Sequence, residues 1–245
     1  MTRSMTCFCT AAMTSPDLET LVPLVLDHFD VKHPELGLNE RKVRNYLESE
    51  ARSTGPVQRL ENIGEIEIRP ITTDSTDDVA RFFDTDAFPD NAAWGSCYCM
   101  YYFRGGKDNT DWGNEPWQKV RRDQLTRIAS GQTTGTLAYI DGKMVGWCNA
   151  TARSEFPGLT DGQDQGVVSI VCFAIAPPYR RHGVATRLLE GVVNHSKQNG
   201  AIRLEAYPVR DPDDEQAAYH GSLDLYEKVG FQVRSDEPLT VGLDL

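Results

Sequence analysis

A short basic turn, Arg180-Arg181-His182-Gly183-Val184-Ala185, lies between an apolar run that ends at Pro177 and a helical pattern. A strand that leads through a glycine-containing turn into a helix leaves several backbone N–H groups without partners, and the helix dipole adds about half a positive charge there. Such a position binds phosphate groups. The turn therefore predicts a site for a phosphorylated ligand.

The residues on either side of this turn predict the elements that position it. Residues 167–176 form a nearly continuous, β-branched apolar run, which is typical of a central strand buried on both faces. Apolar residues then recur at helical spacing from Val184 to Val193, and Asn199-Gly200 ends the helix. The pattern predicts a buried strand, a turn and a helix, in that order.

Strand and helix patterns also alternate through the rest of residues 65–245. Two runs joined by Asp141-Gly142 indicate a hairpin, because this dipeptide favours a tight turn between paired strands. The other predicted strands are at 66–71, 202–206, 231–234 and 239–243, and the other predicted helices are at 75–83, 115–131 and 222–229. We expect these residues to form one domain.

Residues 1–60 predict a separate extension. Ser15-Pro16-Asp17 precedes an apolar stripe at helical spacing that reaches Phe29, and Asn39-Glu40 opens a second, more polar helix. Ser53-Thr54-Gly55-Pro56 ends that helix. The sequence predicts a helical N-terminal extension, and Met13 is an alternative start of translation.

Composition limits the classes of partner. The chain has 245 residues and a formal charge of −11, which disfavours a nucleic-acid partner because phosphate contacts need clustered Lys and Arg. That charge is compatible with a cationic acceptor, which the acidic run at 211–215 would attract. No apolar run approaches the ~20 residues that span a bilayer, and no secretory signal is evident. We expect a soluble, cytoplasmic protein. A homodimer is possible.

The six cysteines predict reduced thiols, since a chain of this length without an export signal does not need a disulfide framework. Two C-x-C pairs, Cys7-Phe8-Cys9 and Cys97-Tyr98-Cys99, offer four thiolates that a zinc ion would accept. Cysteine is also a common buried residue, and a spacing of one residue is short for a zinc site. We expect no metal.

Two motifs resemble one known family. Arg180-x-x-Gly183-x-Ala185 resembles the cofactor-binding signature of the GNAT superfamily of acyl-CoA-dependent N-acyltransferases, and Leu225-Tyr226-Glu227-Lys228-Val229-Gly230-Phe231 resembles a later segment of the same superfamily. The predicted elements follow its order, β-α-α-β-β-β-α-β-α-β-β. The resemblance implies an α/β fold of the α+β type, in which helices flank a mixed, mostly antiparallel central sheet.

The resemblance also implies a donor, acetyl-CoA, and the residues that bind it. The backbone amides of His182 to Thr186 would hold the pyrophosphate, and the backbone of Phe173 to Ile175 would pair with pantetheine like an added strand. Gly183 would let the backbone approach the diphosphate closely. The implied cofactor residues are Phe173, Ala174, Ile175, Arg180, Arg181, His182, Gly183, Val184, Ala185 and Thr186.

Acetyl transfer to an amine needs a base and an acid. An alkyl amine with a pKa of about 10.4 is neutral in about one molecule per 2,500 at pH 7, which corresponds to about 4.6 kcal/mol. Glu205 is the first candidate for the base, with a water chain or His220 as alternatives. Tyr226 matches the family position of the acid that protonates the CoA thiolate, although the same side chain would also suit a packing role.

Two further features bear on the site. Tyr219 stands where many family members have an Asn that contacts pantetheine, so binding on this side departs from the family pattern. The aromatic segment 94–103, with 146–149 and 169–173, resembles a bacterial subgroup of the family, and its aromatic side chains would either line an acceptor pocket or pack in the core.

The predicted function is acetyl transfer to a primary amine. The alternative is a non-catalytic acyl-CoA-binding regulatory module.

Overall fold

The protein contains nine strands and six α-helices in the part that its computed structural model describes, which is residues 3–7, 9–51, 57–91, 94–105, 113–160, 162, 164–210 and 218–245. The strands are β1 (Arg3–Thr6), β2 (Ala12–Ser15), β3 (Glu67–Pro70), β4 (Gly135–Ile140), β5 (Lys143–Ala152), β6 (Val167–Ile175), β7 (Arg203–Ala206), β8 (Gln232–Asp236) and β9 (Leu239–Asp244). The helices are α1 (Leu18–Lys32), α2 (Glu40–Glu50), α3 (Thr76–Arg81), α4 (Trp117–Ala129), α5 (Val184–Gln198) and α6 (Leu223–Lys228). The acidic run at 211–215 lies outside the described residues.

Seven strands form the central sheet in the order β3-β4-β5-β6-β7-β9-β8. Every neighbouring pair is antiparallel except β6 and β7, which run parallel because α5 crosses between them. The mixed, mostly antiparallel sheet and the order of elements predicted for residues 65–245 are therefore confirmed. Asp141 and Gly142 both have positive φ, 50° and 75°, as the tight turn of the predicted β4–β5 hairpin requires.

The two faces of the sheet are covered by different helices. Side chains alternate along β5, so that Trp147 packs with α3 and α4 on one face while Cys148 packs with α5 on the other. Both side chains are fully buried. Because helices cover both faces of the sheet, its central strands are buried on both sides. Their sequences are therefore nearly continuous apolar runs. No helix among the described residues is long and apolar enough to cross a membrane.

The N-terminal extension contains more than the predicted helices. Helices α1 and α2 form close to the predicted positions, capped by the side chains of Asp17 and Asn39. They are preceded by an antiparallel hairpin of β1 and β2, in which Arg3 pairs with Ser15. The predicted helical extension thus also contains a hairpin that the sequence did not indicate, because four-residue strands of mixed polarity carry no clear alternation. The hairpin, α1 and α2 enclose a small core of their own.

The extension is attached to the larger domain through α2. The Asn45 side chain, 6% exposed, donates hydrogen bonds to the backbone carbonyls of Gly113 and Glu115 at 3.1 and 2.7 Å. The indole N–H of Trp117 donates to Glu48 at 2.5 Å. These contacts hold α2 against the start of α4, one of the helices on the Trp147 face of the sheet.

Candidate active site

The site begins where the parallel pair β6–β7 separates. The pairing between these strands runs from Val167 opposite Arg203 to Ile170 opposite Ala206, where β7 ends. The edge of β6 from Val171 to Ile175 that faces β7 is therefore not paired by that strand. A shift in the β5–β6 register at the same level leaves Val171 as an extra residue, which is a β-bulge. The result is a gap in the middle of the sheet.

The first turn of α5 borders this gap. The first intrahelical bond links the Arg187 N–H to the Gly183 carbonyl, so the backbone N–H groups of the first turn are left for another partner. Gly183 and Arg181 have φ of 79° and 69°, left-handed conformations that turn the chain sharply after β6. These amides and the positive end of the helix dipole lie where the sequence predicts a cradle for phosphate oxygens.

Arg180 has a different role from the one predicted. Its guanidinium donates to both carboxylate oxygens of Asp90, at 2.5 and 3.1 Å, and its Nε donates to the Ile175 carbonyl at 3.0 Å. These bonds occupy the group that was expected to bind phosphate. Arg180 instead fixes the turn against the end of β6. Arg181 is exposed and has no ion pair among the described residues, so its cation is available to a phosphate.

The His182 side chain also supports the turn. Its Nε2 lies 2.9 Å from the Leu60 carbonyl oxygen, and the Leu60 N–H donates to the Pro178 carbonyl at 2.9 Å. The segment that leads from the extension into β3 is thus bound to the cradle. The His182 ring is used for this contact, and only its backbone amide is left for a ligand.

The gap continues into a cleft of about 650 Å³, a volume typical of small-molecule sites, which run from about 300 to 1,000 Å³. Nine of the ten predicted cofactor residues line it; His182 is the exception. The opposite wall includes Val209, Tyr219, Ser222, Leu225 and Lys228. The structure therefore assembles the predicted donor-binding residues on one cleft.

A second, smaller cavity of about 190 Å³ adjoins the cleft, and we call it the aromatic chamber. Phe88, Trp94 and Tyr219 line both cavities and mark the junction between them. The rest of the chamber is lined by Phe83, Ser96, Cys97, Cys99, Tyr101, Tyr102, Val171 and Cys172. The segment 94–103 thus contributes both to a pocket wall and to the core, where Tyr98 is fully buried.

Tyr226 is buried away from both cavities. It is 0% exposed, and its hydroxyl donates to the His220 carbonyl at 2.8 Å. Burial raises the pKa of Tyr226 well above its ordinary value, so the phenol keeps its proton. Because that proton is already donated to a backbone carbonyl, the geometry favours the packing role. The acid role of Tyr226 stays a prediction.

Glu205 lies in an ion-pair network behind the sheet gap. One carboxylate oxygen accepts from Arg153 at 2.8 Å, and the other lies 3.0 Å from Arg203. Arg153 is itself 5% exposed and donates to Asp164 at 2.6 Å. Glu205 does not line the cleft or the chamber. With a cation at each oxygen, Glu205 neutralises buried charge, and a role as the base that deprotonates the amine is not supported.

His220 connects to the chamber through a hydroxyl group. Its Nε2 lies 3.3 Å from the Tyr102 hydroxyl, and Tyr102 lines the chamber together with Tyr219. Burial lowers the pKa of His220 to about 4, so the ring is neutral at pH 7. Burial raises the pKa of Tyr219 and of Tyr102 above their ordinary values, so both phenols keep their protons. A polar chain therefore runs from the chamber to a neutral imidazole.

Several lining residues carry no signal in the sequence. Phe88, Asp90 and Asn91 follow α3 in a connection without a motif, and only the fold brings them to the cradle. Tyr219 is visible in the sequence only as a departure from a family pattern. Its place at the junction could have been inferred by counting back seven residues from Tyr226 in the second motif.

Comparison with protein families identifies the class. The family described as Acetyltransferase (GNAT) family matches residues 94–231, which is more than half of the chain. The chain therefore belongs to the GNAT acetyltransferase family, and it is an acyl-CoA-dependent acyltransferase. Among curated proteins, none matches the sequence closely enough to count as a relative.

Solved structures of similar fold include PaiA N-acetyltransferase from Thermoplasma acidophilum in complex with coenzyme A, at 15% identity and a TM-score of 0.45, covering 74% of this chain and 99% of that one. An N-acetyltransferase from Staphylococcus aureus Mu50 has 13% identity and a TM-score of 0.46, and the match covers 74% of this chain and 99% of that one. The GNAT domain of S. lividans PAT has 17% identity and a TM-score of 0.46, and the match covers 74% of this chain and 92% of that one.

The cradle can be tested with matched glycine substitutions at the two ends of α5. Gly183 and Gly200 have nearly equal φ, 79° and 77°, and at both positions an added Cβ meets no atom of the described residues within 4 Å. Gly183→Ala and Gly200→Ala should therefore carry similar backbone strain, about 1–2 kcal/mol. Only Gly183→Ala places a methyl group in the cleft. We expect it to weaken acetyl-CoA binding by about tenfold or more, or about 1.4 kcal/mol.

Titration calorimetry of both variants and the unsubstituted protein would measure these affinities. Equal affinity for acetyl-CoA in the Gly183→Ala and Gly200→Ala proteins would show that the donor does not approach the first turn of α5.

The role of Glu205 can be tested through stability. Glu205→Gln removes one of the two carboxylates that pair with the buried Arg153 and leaves Asp164 in place, so we expect a cost below the ~3–5 kcal/mol of leaving a buried charge unpaired. We expect the urea midpoint to fall clearly, while turnover per folded molecule stays within a few-fold. Glu190→Gln is the control, because its pair with Arg187 is exposed and worth about 0–1 kcal/mol. A large loss of kcat in a Glu205→Gln protein of normal stability would restore Glu205 as the base.

Proposed function

We propose that this protein transfers the acetyl group of acetyl-CoA directly to the nitrogen of a primary amine. The observation that carries the proposal is the open edge of β6 from Val171 to Ile175, which leads from the cradle at Gly183 to the aromatic chamber. Pantetheine could pair with this edge as an added strand while the pyrophosphate contacts the first turn of α5. The thioester would then lie at the junction of cleft and chamber.

The two adjoining cavities support a ternary complex. The donor would fill the cleft and the acceptor the chamber, so that the amine meets the thioester beside Phe88, Trp94 and Tyr219. The amine nitrogen would attack the carbonyl carbon and lose a proton, the C–S bond would break, and the CoA sulfur would take up a proton and leave as the thiol. Holding both reactants in this geometry supplies much of the rate, since well-oriented reactions gain up to about 7–11 kcal/mol.

The chamber suggests which amines fit. Its volume, about 190 Å³, admits a small acceptor or the reactive end of a longer one. None of the described residues that line the chamber has a carboxylate, and most are aromatic or sulfur-containing. A polycation would find no counter-charge there, whereas an aromatic or alkyl monoamine would bury its apolar part and could approach an aromatic face as a cation. We therefore propose a small monoamine with an apolar side group.

Tyrosine hydroxyls that line the chamber would assist the reaction. Tyr219, whose phenol keeps its proton and lines both cavities, is placed to protonate the leaving thiolate. The Tyr102 hydroxyl, which lines the chamber and lies 3.3 Å from the His220 Nε2, would orient the neutral amine by a hydrogen bond, and the proton that the amine loses would pass to solvent water. In this assignment Tyr226 fixes the backbone of His220 through its hydrogen bond.

An amine panel tests the proposed activity. Release of CoA thiol would be measured with acetyl-CoA and three classes of acceptor: 2-phenylethylamine and butylamine, glucosamine, and spermidine. We expect sequential kinetics, with kcat/KM for the apolar monoamines at least about tenfold above that for spermidine, because the chamber offers apolar contact without carboxylates. Tight acetyl-CoA binding with no thiol release above hydrolysis for any class would instead indicate an acyl-CoA-binding module.

Two tyrosine variants separate catalysis from packing. Tyr219→Phe should lower kcat by about 10²-fold or more with little change in acetyl-CoA affinity, since a positioned acid contributes about 10² to 10⁴-fold. Tyr226→Phe leaves the His220 carbonyl without its donor and should lower stability by about 1–3 kcal/mol with a smaller loss of kcat. Steady-state kinetics and urea unfolding of both proteins would distinguish the roles. The reverse pattern of kcat losses would assign the acid to Tyr226.

A further inference from the structure

Two cysteines and two histidines converge in the N-terminal extension, far from the cleft. Cys7 and Cys9 lie in the turn between β1 and β2, whereas His28 and His33 lie at the end of α1. The Cys7 Sγ is 3.4 Å from the His33 Nε2, and the Cys9 Sγ is 3.3 Å from the His28 Nε2. All four of these atoms lie within 4.8 Å of one another.

These distances are close to those of a tetrahedral zinc site. With Zn–S bonds of about 2.3 Å and Zn–N bonds of about 2.0 Å, a tetrahedron separates neighbouring sulfur and nitrogen ligands by about 3.5 Å. The two sulfur–nitrogen distances in the extension are already 3.3 and 3.4 Å. Two thiolates with two imidazoles are a donor set that suits zinc, while magnesium and calcium prefer oxygen ligands. Shifts of side chains alone would complete the coordination.

The turn of the hairpin presents both sulfur atoms to one point. The Cys7 N–H donates to the Ala11 carbonyl, the Thr10 N–H donates to the Cys7 carbonyl, and Thr10 adopts a left-handed φ of 70°. The Cys9 N–H approaches the Cys7 Sγ at 3.5 Å. A backbone donor directed at a sulfur atom stabilises that sulfur as a thiolate, the form that binds metal.

The end of α1 brings the two histidines together. Residues five apart in a continuous helix point about 140° apart, so a longer α1 would separate these rings. The helix ends at Lys32, and His33 has a φ of −142°, which lets its ring return toward that of His28. The two ring centroids are 5.6 Å apart. The Nδ1 of His33 faces Glu35 at 3.8 Å, the side on which metal-bound histidines usually meet an outer carboxylate.

The small core of the extension explains why a metal crosslink would stabilise it. Among the described residues of the extension, eight buried side chains form its core: Cys7, Met13, Leu21, Val22, Val25, Phe29, Val43 and Leu47. A core of this size stabilises a hairpin of two four-residue strands weakly, and units this small commonly need a metal or a disulfide. Helix α2 is held to the larger domain through Asn45, but these bonds do not involve β1 and β2.

We propose that Cys7, Cys9, His28 and His33 bind one zinc ion that fixes the β1–β2 hairpin to the end of α1. Four protein ligands leave no open position for water or substrate, so the site is structural. It revises the expectation of a chain without metal. It also differs from a site made by both C-x-C pairs, because Cys97 lines the aromatic chamber and the Cys99 Sγ accepts from Asn149.

The test uses the full chain purified from zinc-supplemented cells without chelator, with metal measured by plasma mass spectrometry. We expect about one zinc per chain. Cys9→Ser removes a ligand on an exposed side chain and should not disturb the core. Cys97→Ser is the matched control, since it changes the first residue of the other C-x-C pair. Loss of an outer-shell partner alone weakens metal binding about 10–100-fold, so Cys9→Ser should weaken it by about 100-fold or more.

Metal-free protein provides a second measurement that does not depend on purification history. Titration with Co²⁺ should give the absorption of tetrahedral cobalt–thiolate coordination in the unsubstituted and Cys97→Ser proteins, and the Cys9→Ser and His28→Gln proteins should lack it. The proposal is overturned if the metal-free protein binds Zn²⁺ no more tightly than Cys9→Ser, which would leave only thiol–imidazole hydrogen bonds. Equal loss of zinc in Cys97→Ser and Cys9→Ser would also overturn it.

Discussion

The pairing of β6 with β7 stops at Ile170 and Ala206, and the rest of the site depends on this limit. A fully paired sheet would have no gap, and the edge of β6 would have no free positions for a ligand. Because α5 begins at the end of the same strand, the gap and the unpaired amides of its first turn occur side by side. The bulge at Val171 then places that residue and Cys172 in the chamber wall. One interrupted ladder thus places the cleft beside the aromatic chamber.

Most charged residues named near the site form ion pairs that hold its structure. Arg180 pairs with Asp90, and Arg153 pairs with Glu205, so the groups that looked reactive in the sequence are neutralised by a partner. Among the described residues, the polar groups that line the chamber are the phenols of Tyr101, Tyr102 and Tyr219, three thiols and the Ser96 hydroxyl, with the His220 imidazole behind Tyr102. Burial keeps the phenols of Tyr102 and Tyr219 protonated and the imidazole neutral, so these groups act as uncharged hydrogen-bond donors and acceptors.

Local signals predicted most of the fold. The Asp141-Gly142 turn, the buried run of β6 and the apolar stripe of α5 each depend on neighbouring residues, and each element appears where expected. The β1–β2 hairpin was missed because its strands are short and their polarity does not alternate. Nine predicted cofactor residues reach one cleft because they are close in sequence, around a single strand-to-helix turn.

The sequence by itself determined the family, the order of elements and the donor side of the site, because those features are encoded in short, contiguous motifs. Only the tertiary structure decided which side chains are paired within the protein and which remain available to a ligand. It paired Arg180 with Asp90, buried the Tyr226 hydroxyl against His220, and brought Cys7 and Cys9 to the histidines of α1. Contacts between residues far apart in sequence follow from packing of whole elements, and no local pattern of residue types specifies them.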